Sequence, residues 1–215
     1  LYGLWAWSER ILVLWFFGLE TLGIYSLAIA GVQAGLMLST SVLEAFVIHV
    51  FQTLGDTRGQ VKDIAAKKLL HASTISISYG CPIVGASIIF IGPAMVNSFL
   101  PEYTDIIRFL PWVAGILWIQ GLPLTYRASL TSARIDKQWL NTVQGGVSLV
   151  LFVALAYLIH IFESTLIAPL AAKLIAYTVL AFWGLYTAGS YLYEDISECL
   201  GLLFQYLMPL FWSVP

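Results

Sequence analysis

The feature that most constrains this chain is an apolar run over residues 1–54. Drawn as one helix, about 54 residues would be roughly 80 Å long, whereas the hydrocarbon core of a bilayer takes about 20 helical residues. The run must therefore fold back on itself. Gly18 and Gly23 flank a short stretch that contains Glu20, and glycines beside a carboxylate suit a turn at a membrane surface. We predict that the chain reverses direction there.

The composition places the chain in lipid rather than in water. Hydrophobic residues make up 60% of the chain and charged residues 10%, whereas about a quarter of the residues in soluble domains are charged. The net charge of -2 excludes a strongly basic nucleic-acid-binding protein. Cys81 and Cys199 lie far apart in apolar surroundings, which predicts buried thiols rather than a metal site. Because the chain starts at Leu1 inside an apolar segment, we expect it to be part of a longer protein.

Polar and proline-rich stretches divide the remaining chain into four further apolar segments. Pro82 is predicted to break one of them, and residues 92–111 are predicted to form a surface excursion with a short amphipathic piece. Residues 191–215 predict a C-terminal apolar helix that lies at the membrane interface or enters it partly. The expected fold is an all-α integral membrane protein in which residues 1–190 form a six-helix transmembrane bundle, with spans at about 1–18, 24–52, 69–92, 112–130, 140–161 and 166–190.

The distribution of lysine and arginine predicts the orientation of this bundle. The loops after the second and fourth spans, with the helix ends beside them, hold seven of these residues, and the alternate loops hold only Arg108. Basic loops stay on the cytoplasmic side of a membrane. We therefore predict that loops 53–68 and 131–139 are cytoplasmic, that the turns at Glu20 and Glu163 face outward, and that the protein resides in the cytoplasmic (inner) membrane.

Catalytic sequence patterns are absent from the chain. It contains no HExxH, no phosphate-binding P-loop, no nucleophile elbow and no paired histidines at metal-ligand spacing. Its three histidines lie near predicted span ends, where polar residues are common. The sequence therefore predicts that the protein is not an enzyme and has no cofactor or metal.

Ionisable residues at membrane depth indicate a functional site, since each costs several kcal/mol unless it faces protein or water. Glu9 and Arg10 lie about 12 Å before the Gly18 turn by helical rise, and they point about a quarter-turn apart. We expect at least one of them to face a polar cavity or a charge on another helix. Glu44 lies eleven residues after Gln33, on nearly the same helical face.

These polar residues have two interpretations that the sequence leaves open. They either line a polar lumen, or they only bind helices together, with Glu44 paired to Lys173 or Arg10 and the glutamines hydrogen-bonded across helices. The number of such groups favours the lumen, because packing alone requires fewer. The predicted substrate-binding or cavity set is Arg10, Glu9, Glu44, Lys173, Arg127, Gln33, Gln120 and Gln144.

Two stretches of the chain carry a family resemblance. ERILVLWFFGLETLGIYSLA, residues 9–28, combines an acidic–arginine pair, a glycine turn and Gly-Ile-Tyr-Ser-Leu-Ala, and FLPEYTDIIRFLPWV covers residues 99–113. Both resemble segments of the polysaccharide and O-antigen type flippases of the multidrug/oligosaccharidyl-lipid/polysaccharide exporter superfamily. The resemblance extends over about residues 1–190, where the spans are similar to helices seven to twelve of that family. Two departures are Glu9, where the family usually has Asp, and the lack of a proline in the second half of the second span.

The resemblance implies a transporter of two lobes, of which this chain is the C-terminal one. Its substrate would be an isoprenoid-diphosphate-linked glycan, moved across the membrane by alternating access. A diphosphate needs Arg or Lys in a water-filled cavity, so Arg10 is the first candidate, with Lys173 and Arg127 next. Glu9 or Glu44 would pair with Arg10 in the empty state or carry a coupling H⁺ or Na⁺. The expected partners are the lipid-linked sugar, membrane lipid, the missing N-terminal lobe and other polysaccharide assembly proteins.

Three other classes of protein share the composition. A cation-coupled small-molecule or drug exporter of the same superfamily would have a more acidic cavity. A non-transporting membrane scaffold would have polar groups that pair with one another and enclose no lumen. An integral membrane glycosyltransferase or polymerase would need a pair of catalytic carboxylates in an outer loop, and the sequence contains no recognisable pair of that kind.

Overall fold

The computed structural model describes residues 2–54, 60–132, 138–162 and 165–192, together with a few residues between 197 and 205. Within these ranges the chain is helical apart from short connections and has no β-strand, so the predicted all-α class is confirmed. The helices are α1 (Tyr2–Leu54), α2 (Gln60–Phe99), a 3₁₀ segment (Pro101–Phe109), α3 (Leu110–Ser132), α4 (Gln138–Phe162) and α5 (Ile167–Leu192).

Length and hydropathy make these helices suitable for a membrane. The predicted segments 112–130, 140–161 and 166–190 fall on α3, α4 and α5. The described residues contain five stretches that are long and apolar enough to cross a bilayer, namely Trp7–Leu38, His71–Phe99, Pro101–Pro123, Thr142–Phe162 and Ile167–Thr187.

Helix α1 is interrupted at Gly18, whose backbone has φ 82° and ψ 179°. Essentially only glycine adopts this region, because it lacks a Cβ. The Tyr25 hydroxyl donates a hydrogen bond of 3.0 Å to Glu9 Oε2, across a sequence separation of 16 residues. In a straight helix these residues would lie roughly 24 Å apart, beyond the reach of both side chains. The chain therefore reverses at Gly18 itself, and Gly23 lies within the helix that follows.

The reversal divides α1 into a first arm, residues 2–17, and a second arm, residues 19–54. The second arm runs parallel to α3, because a Cβ at Gly31 would lie 3.9 Å from Val113 and a Cβ at Gly35 would lie 2.8 Å from Leu117. Glycines spaced four residues apart let helix backbones approach closely in a membrane.

Helices α2 and α3 run antiparallel to each other. A Cβ at Gly92 would lie 2.9 Å from Leu110, and a Cβ at Gly121 would lie 2.5 Å from Ile77. This register sets the beginning of α2 beside the end of α3. The helix ends that flank the two basic loops predicted to be cytoplasmic therefore lie at the same end of the bundle.

The prediction that Pro82 breaks its helix is wrong. Helix α2 continues through Pro82 and Pro93 as far as Phe99, so it is longer than the predicted segment 69–92. A proline removes one backbone hydrogen bond, but membrane helices tolerate prolines because neighbouring groups can satisfy the carbonyl that loses its donor.

The excursion predicted at 92–111 is reduced to the 3₁₀ segment, which is amphipathic. Its Ile106 and Phe109 side chains are buried, whereas Glu102 and Asp105 are exposed. Of the segment 191–215, the structure describes eight residues as helical, two at the end of α5 and six exposed ones farther on, namely Ser197, Glu198, Leu200, Gly201, Phe204 and Gln205, and the rest of that prediction lies outside the described residues.

Candidate functional site

A buried ion pair joins the first arm to α5. Lys173 Nζ donates a hydrogen bond of 2.8 Å to Glu9 Oε2, across 164 residues of sequence. The two side chains are only 2% and 5% exposed. The sequence-based expectation that Glu9 or Arg10 faces a charge on another helix is therefore met by Glu9.

A second donor reaches the same carboxylate oxygen. The Tyr25 hydroxyl lies 3.0 Å from Glu9 Oε2, so the second arm is bound to the ion pair as well. Lys173 Nζ also lies 5.8 Å from the centre of the Tyr177 ring, within the range of a cation–π attraction. We call Glu9, Tyr25 and Lys173 the ionic cluster, and it connects the first arm, the second arm and α5.

Helical periodicity explains why these side chains face each other. Residues three and four apart share one face of a helix, and the ionic residues occupy the buried face of each segment. Alanines beside Lys173 leave room for its long side chain. The buried positions around the pair are Glu9, Leu12 and Val13 on the first arm, and Ala172, Lys173, Ala176 and Tyr177 on α5.

The depth of the pair matters for its energetics. Glu9 lies nine residues before Gly18, roughly 13 Å by helical rise, and Lys173 lies six residues after Ile167, roughly 9 Å. A charge at such depth in a bilayer is costly unless it is paired. Each ion neutralises the other, and removing one would leave an uncompensated buried charge.

Arg10 lies outside the ionic cluster. Its side chain is exposed, because consecutive helical residues point about 100° apart and Glu9 occupies the buried direction. The neighbours of Arg10 on this face are large apolar side chains. The exposed stripe of the first arm consists of Trp7, Arg10, Ile11, Leu14 and Trp15.

The end of the first arm nearest Gly18 packs against α4. The His160 ring lies 4.9 Å from the Phe16 ring and 4.8 Å from the Phe17 ring, measured between centroids. These contacts lie directly before Gly18. They fix the end of the first arm that is nearest to the reversal.

A neutral hydrogen bond joins the beginning of α4 to the end of α5. Gln144 Nε2 donates to Thr187 Oγ1 at 3.0 Å, and both residues are buried. Thr187 Oγ1 in turn donates to the Trp183 carbonyl oxygen at 2.8 Å. Gln144 therefore joins helices, as the second interpretation of the sequence expected of the glutamines.

The remaining predicted residues are not brought to the ionic cluster by the described contacts. Gln120 is buried in α3, and its Oε1 has no hydrogen-bond partner among the described residues. Gln33 is half-buried on the second arm. The side chains of Glu44 and Arg127 lie outside the described residues, and the structure gives Lys173 a partner other than Glu44.

Tyr25 is the residue of the cluster that the sequence analysis missed. It belongs to the Gly-Ile-Tyr-Ser-Leu-Ala motif, but its distance from Glu9 becomes short only after the reversal at Gly18. The sequence did contain a signal for Tyr25. It lies seven residues after Gly18, so a reversal there returns it to about the depth of Glu9.

Comparisons with known proteins assign no family to the chain. No protein-family model, no curated protein and no solved structure matches the chain. Within the described residues, no group of three or more His, Cys, Asp or Glu side chains could hold a metal ion.

Proposed function

We propose that this chain is one lobe of a two-lobe flippase that moves a lipid-linked oligosaccharide or polysaccharide across the cytoplasmic membrane. The observation that carries the proposal is the exposed guanidinium of Arg10, which lies at membrane depth on an otherwise apolar face. The resemblance of residues 9–28 to polysaccharide flippases supports the same assignment.

An exposed arginine at this depth requires a polar neighbour. A guanidinium stays charged at all physiological pH values, and a charge facing hydrocarbon is strongly unfavourable. The exposed stripe of the first arm must then face water or protein in the complete molecule. A water-filled cavity between this lobe and a second lobe places both water and protein beside this stripe.

Arg10 also has the chemistry that an isoprenoid diphosphate needs. A guanidinium binds phosphate oxygens through two parallel hydrogen bonds, which orient the anion as well as attract it. Lys173, the basic residue buried among the described residues, is engaged by Glu9. Arg10 is therefore available for an anionic substrate while Lys173 is occupied.

The topology that this function needs has six spans. In the proposed topology, the two arms of α1 are two of these spans and α2 to α5 are the other four. With the basic loops 53–68 and 131–139 on the cytoplasmic side, the ionic cluster lies in the outer half of the bilayer. Alternating access then needs this bundle to move against a second one.

Export of a lipid-linked glycan by the full-length protein tests the proposal. In cells that lack their own flippase, Arg10→Gln should abolish surface glycan, whereas Arg10→Lys should retain part of it because the charge remains. Lys68→Gln is the matched control, since Lys68 is exposed on α2 within the basic segment. Protein level in the membrane is measured for each variant.

Two outcomes favour other functions. Unchanged glycan export in Arg10→Gln, at a normal protein level, would contradict the flippase assignment and favour a membrane scaffold. Uptake or efflux of cationic dyes that depends on a carboxylate would favour a drug exporter of the same superfamily. The pairing of Glu9 with Lys173 argues against that second outcome, because it removes the negative charge that would attract a cation.

A further inference from the structure

We propose that the 3₁₀ segment Pro101–Phe109 binds a phospholipid whose headgroup joins a phosphate to a primary ammonium, as in phosphatidylethanolamine. The phosphate binds Arg108 and the ammonium binds Asp105. The inference goes beyond the flippase assignment and does not depend on it. It requires only that the bundle lies in a membrane, for which its helices are long and apolar enough.

The segment places charges of opposite sign in one row. In a 3₁₀ helix, side chains three residues apart lie directly above one another. Asp105 and Arg108 are both exposed, so they share one face of the segment. At a rise of about 2.0 Å per residue they lie about 6 Å apart along its axis. A negative charge beside a positive one complements a zwitterionic headgroup.

The guanidinium of Arg108 is positioned without being neutralised. Its central carbon lies 4.7 Å from the centre of the Phe109 ring, within the range of a cation–π attraction. A phenyl ring has no oxygen or nitrogen acceptor, so the N–H groups of the guanidinium keep their capacity for hydrogen bonds. Within the described part of the chain, neither Arg108 nor Asp105 forms an ion pair. Both charges are therefore available to a ligand.

The segment lies where lipid headgroups are expected. It buries Ile106 and Phe109 against the bundle and exposes its charged face, and amphipathic segments of this kind lie along a membrane interface. On α2, an exposed apolar stripe of Ile91, Met95 and Phe99 ends two residues before the segment begins. Acyl chains that lie along this stripe have their headgroup at the level of the segment.

The two charges distinguish among common phospholipids. A primary ammonium donates charge-assisted hydrogen bonds to a carboxylate, and a phosphate accepts them from a guanidinium. Phosphatidylcholine has no N–H donor for Asp105. Phosphatidylglycerol has no cation at all, and Asp105 repels its negative charge. Arg108 therefore supplies affinity for any phosphate, whereas Asp105 supplies the preference for phosphatidylethanolamine.

Native mass spectrometry of the purified full-length protein tests the proposal. Phosphatidylethanolamine, phosphatidylcholine and phosphatidylglycerol with identical acyl chains are added to the protein in detergent micelles, and the retained fraction of each lipid is measured. We expect the wild type to retain phosphatidylethanolamine most. Asp105→Asn should reduce the preference over phosphatidylcholine by about fivefold, near the upper limit for one exposed ion pair. Arg108→Gln should lower the retention of all three lipids.

Glu102→Gln is the matched control, since it neutralises another exposed carboxylate of the same segment. Glu102 lies about 12 Å from Arg108 along the axis, too far for one headgroup to reach both. Tyr103, with φ -112° and ψ 25°, also interrupts the regular turn after Glu102. This variant should keep the wild-type preference. Equal losses of preference in Glu102→Gln and Asp105→Asn would overturn the proposal, because the carboxylates would then act only through net charge.

Arg108 also packs on the Phe109 ring, so a packing effect needs its own control. Arg108→Met keeps an apolar side chain over the ring and removes every donor, and it should lower lipid retention as Arg108→Gln does. Wild-type retention in Arg108→Met would contradict the phosphate contact.

Two further results would refute the proposal. Stronger retention of phosphatidylglycerol than of phosphatidylethanolamine by the wild type would indicate a site for anionic lipid instead. Retention that none of these variants changes would indicate ordinary boundary lipid. Because the measurement is lipid binding rather than glycan export, its failure leaves the flippase assignment standing, and failure of that assignment leaves the lipid site standing.

Discussion

Helix α5 is joined to its neighbours by different chemistry at its two ends. Near its beginning, Lys173 forms an ion pair with Glu9 of the first arm, and near its end Thr187 accepts a neutral hydrogen bond from Gln144 of α4. Both contacts are buried and both lie between helices. They differ in what remains when one partner is lost. The neutral contact leaves an unpaired dipole, whereas the ionic contact leaves a charge in a dry interior.

The two contacts therefore differ in what the loss of one partner costs. A neutral hydrogen bond between membrane helices contributes about 0.6 kcal/mol on average and hardly depends on pH. A buried ion pair adds little net stability, because desolvation offsets the attraction, but the loss of one partner is costly. The attachment of the first arm to α5 therefore depends on two charges that need each other, whereas the attachment of α4 does not.

The largest expected effect follows from removing the lysine of the ion pair. Lys173→Ala leaves the Glu9 carboxylate buried without a cation, and we expect the free energy of unfolding to fall by about 3–5 kcal/mol. The measurement is denaturation of the purified protein in mixed micelles. The double variant Glu9→Gln/Lys173→Ala should recover a large part of the loss. If it is no more stable than Lys173→Ala, the unpaired charge is not the cause.

Close packing between α2 and α3 provides a comparison that involves no charge. A Cβ at Gly121 would lie 2.5 Å from Ile77 Cγ2 and 2.9 Å from Cys81 Sγ. Gly121→Ala should lower the melting temperature, with a loss of about 1–3 kcal/mol from overpacking. Gly146→Ala is the control, because nothing lies within 4 Å of a Cβ there. Ile77→Ala should partly rescue Gly121→Ala, and equal effects of the two alanine substitutions would argue against this packing.

The reversal at Gly18 places Glu9 within the ionic cluster. The backbone conformation of Gly18 can therefore be tested separately from the cluster's charges. Gly18→Ala forces a Cβ into a conformation essentially reserved for glycine, at a cost of about 1–3 kcal/mol. Gly23→Ala lies in ordinary helix with open space around it and should leave stability unchanged or slightly raised. Thermal denaturation in detergent compares the two. A tolerated alanine at Gly18 would mean that another residue makes the turn.

The smallest expected effect concerns the neutral contact. Thr187→Val keeps the shape of the side chain and removes the acceptor of Gln144 Nε2. We expect a loss of about 0.6 kcal/mol, the average for such bonds in a membrane. Denaturation at two pH values sharpens the comparison, since this loss should be the same at both. A strong pH dependence would contradict a contact between two uncharged groups.

Much of the fold was predictable because it depends on short-range properties of the chain. The apolar run over residues 1–54 is too long for one span, so the chain was expected to reverse at a glycine within it. Gly18 makes that reversal. The helix break predicted at Pro82 does not occur, because a membrane helix tolerates a proline where neighbouring groups satisfy the freed carbonyl.

The site was predictable only in part. Glu9, Arg10 and Lys173 were identified as costly charges at depth, but their partners were not. Whether Lys173 would meet Glu9 or Glu44 depends on how α5 is rotated and shifted against the first arm, and a single sequence contains no information on that register.

The sequence by itself determined the class of the protein, the approximate positions of its helices and the residues whose charges need compensation, because hydropathy and helical length act along the chain. Only the tertiary structure decided that Glu9 turns inward to Lys173 and Tyr25 while Arg10 turns outward. The physical reason is that adjacent residues on a helix point about 100° apart. A small rotation of the first arm therefore decides which charge is buried and which is exposed.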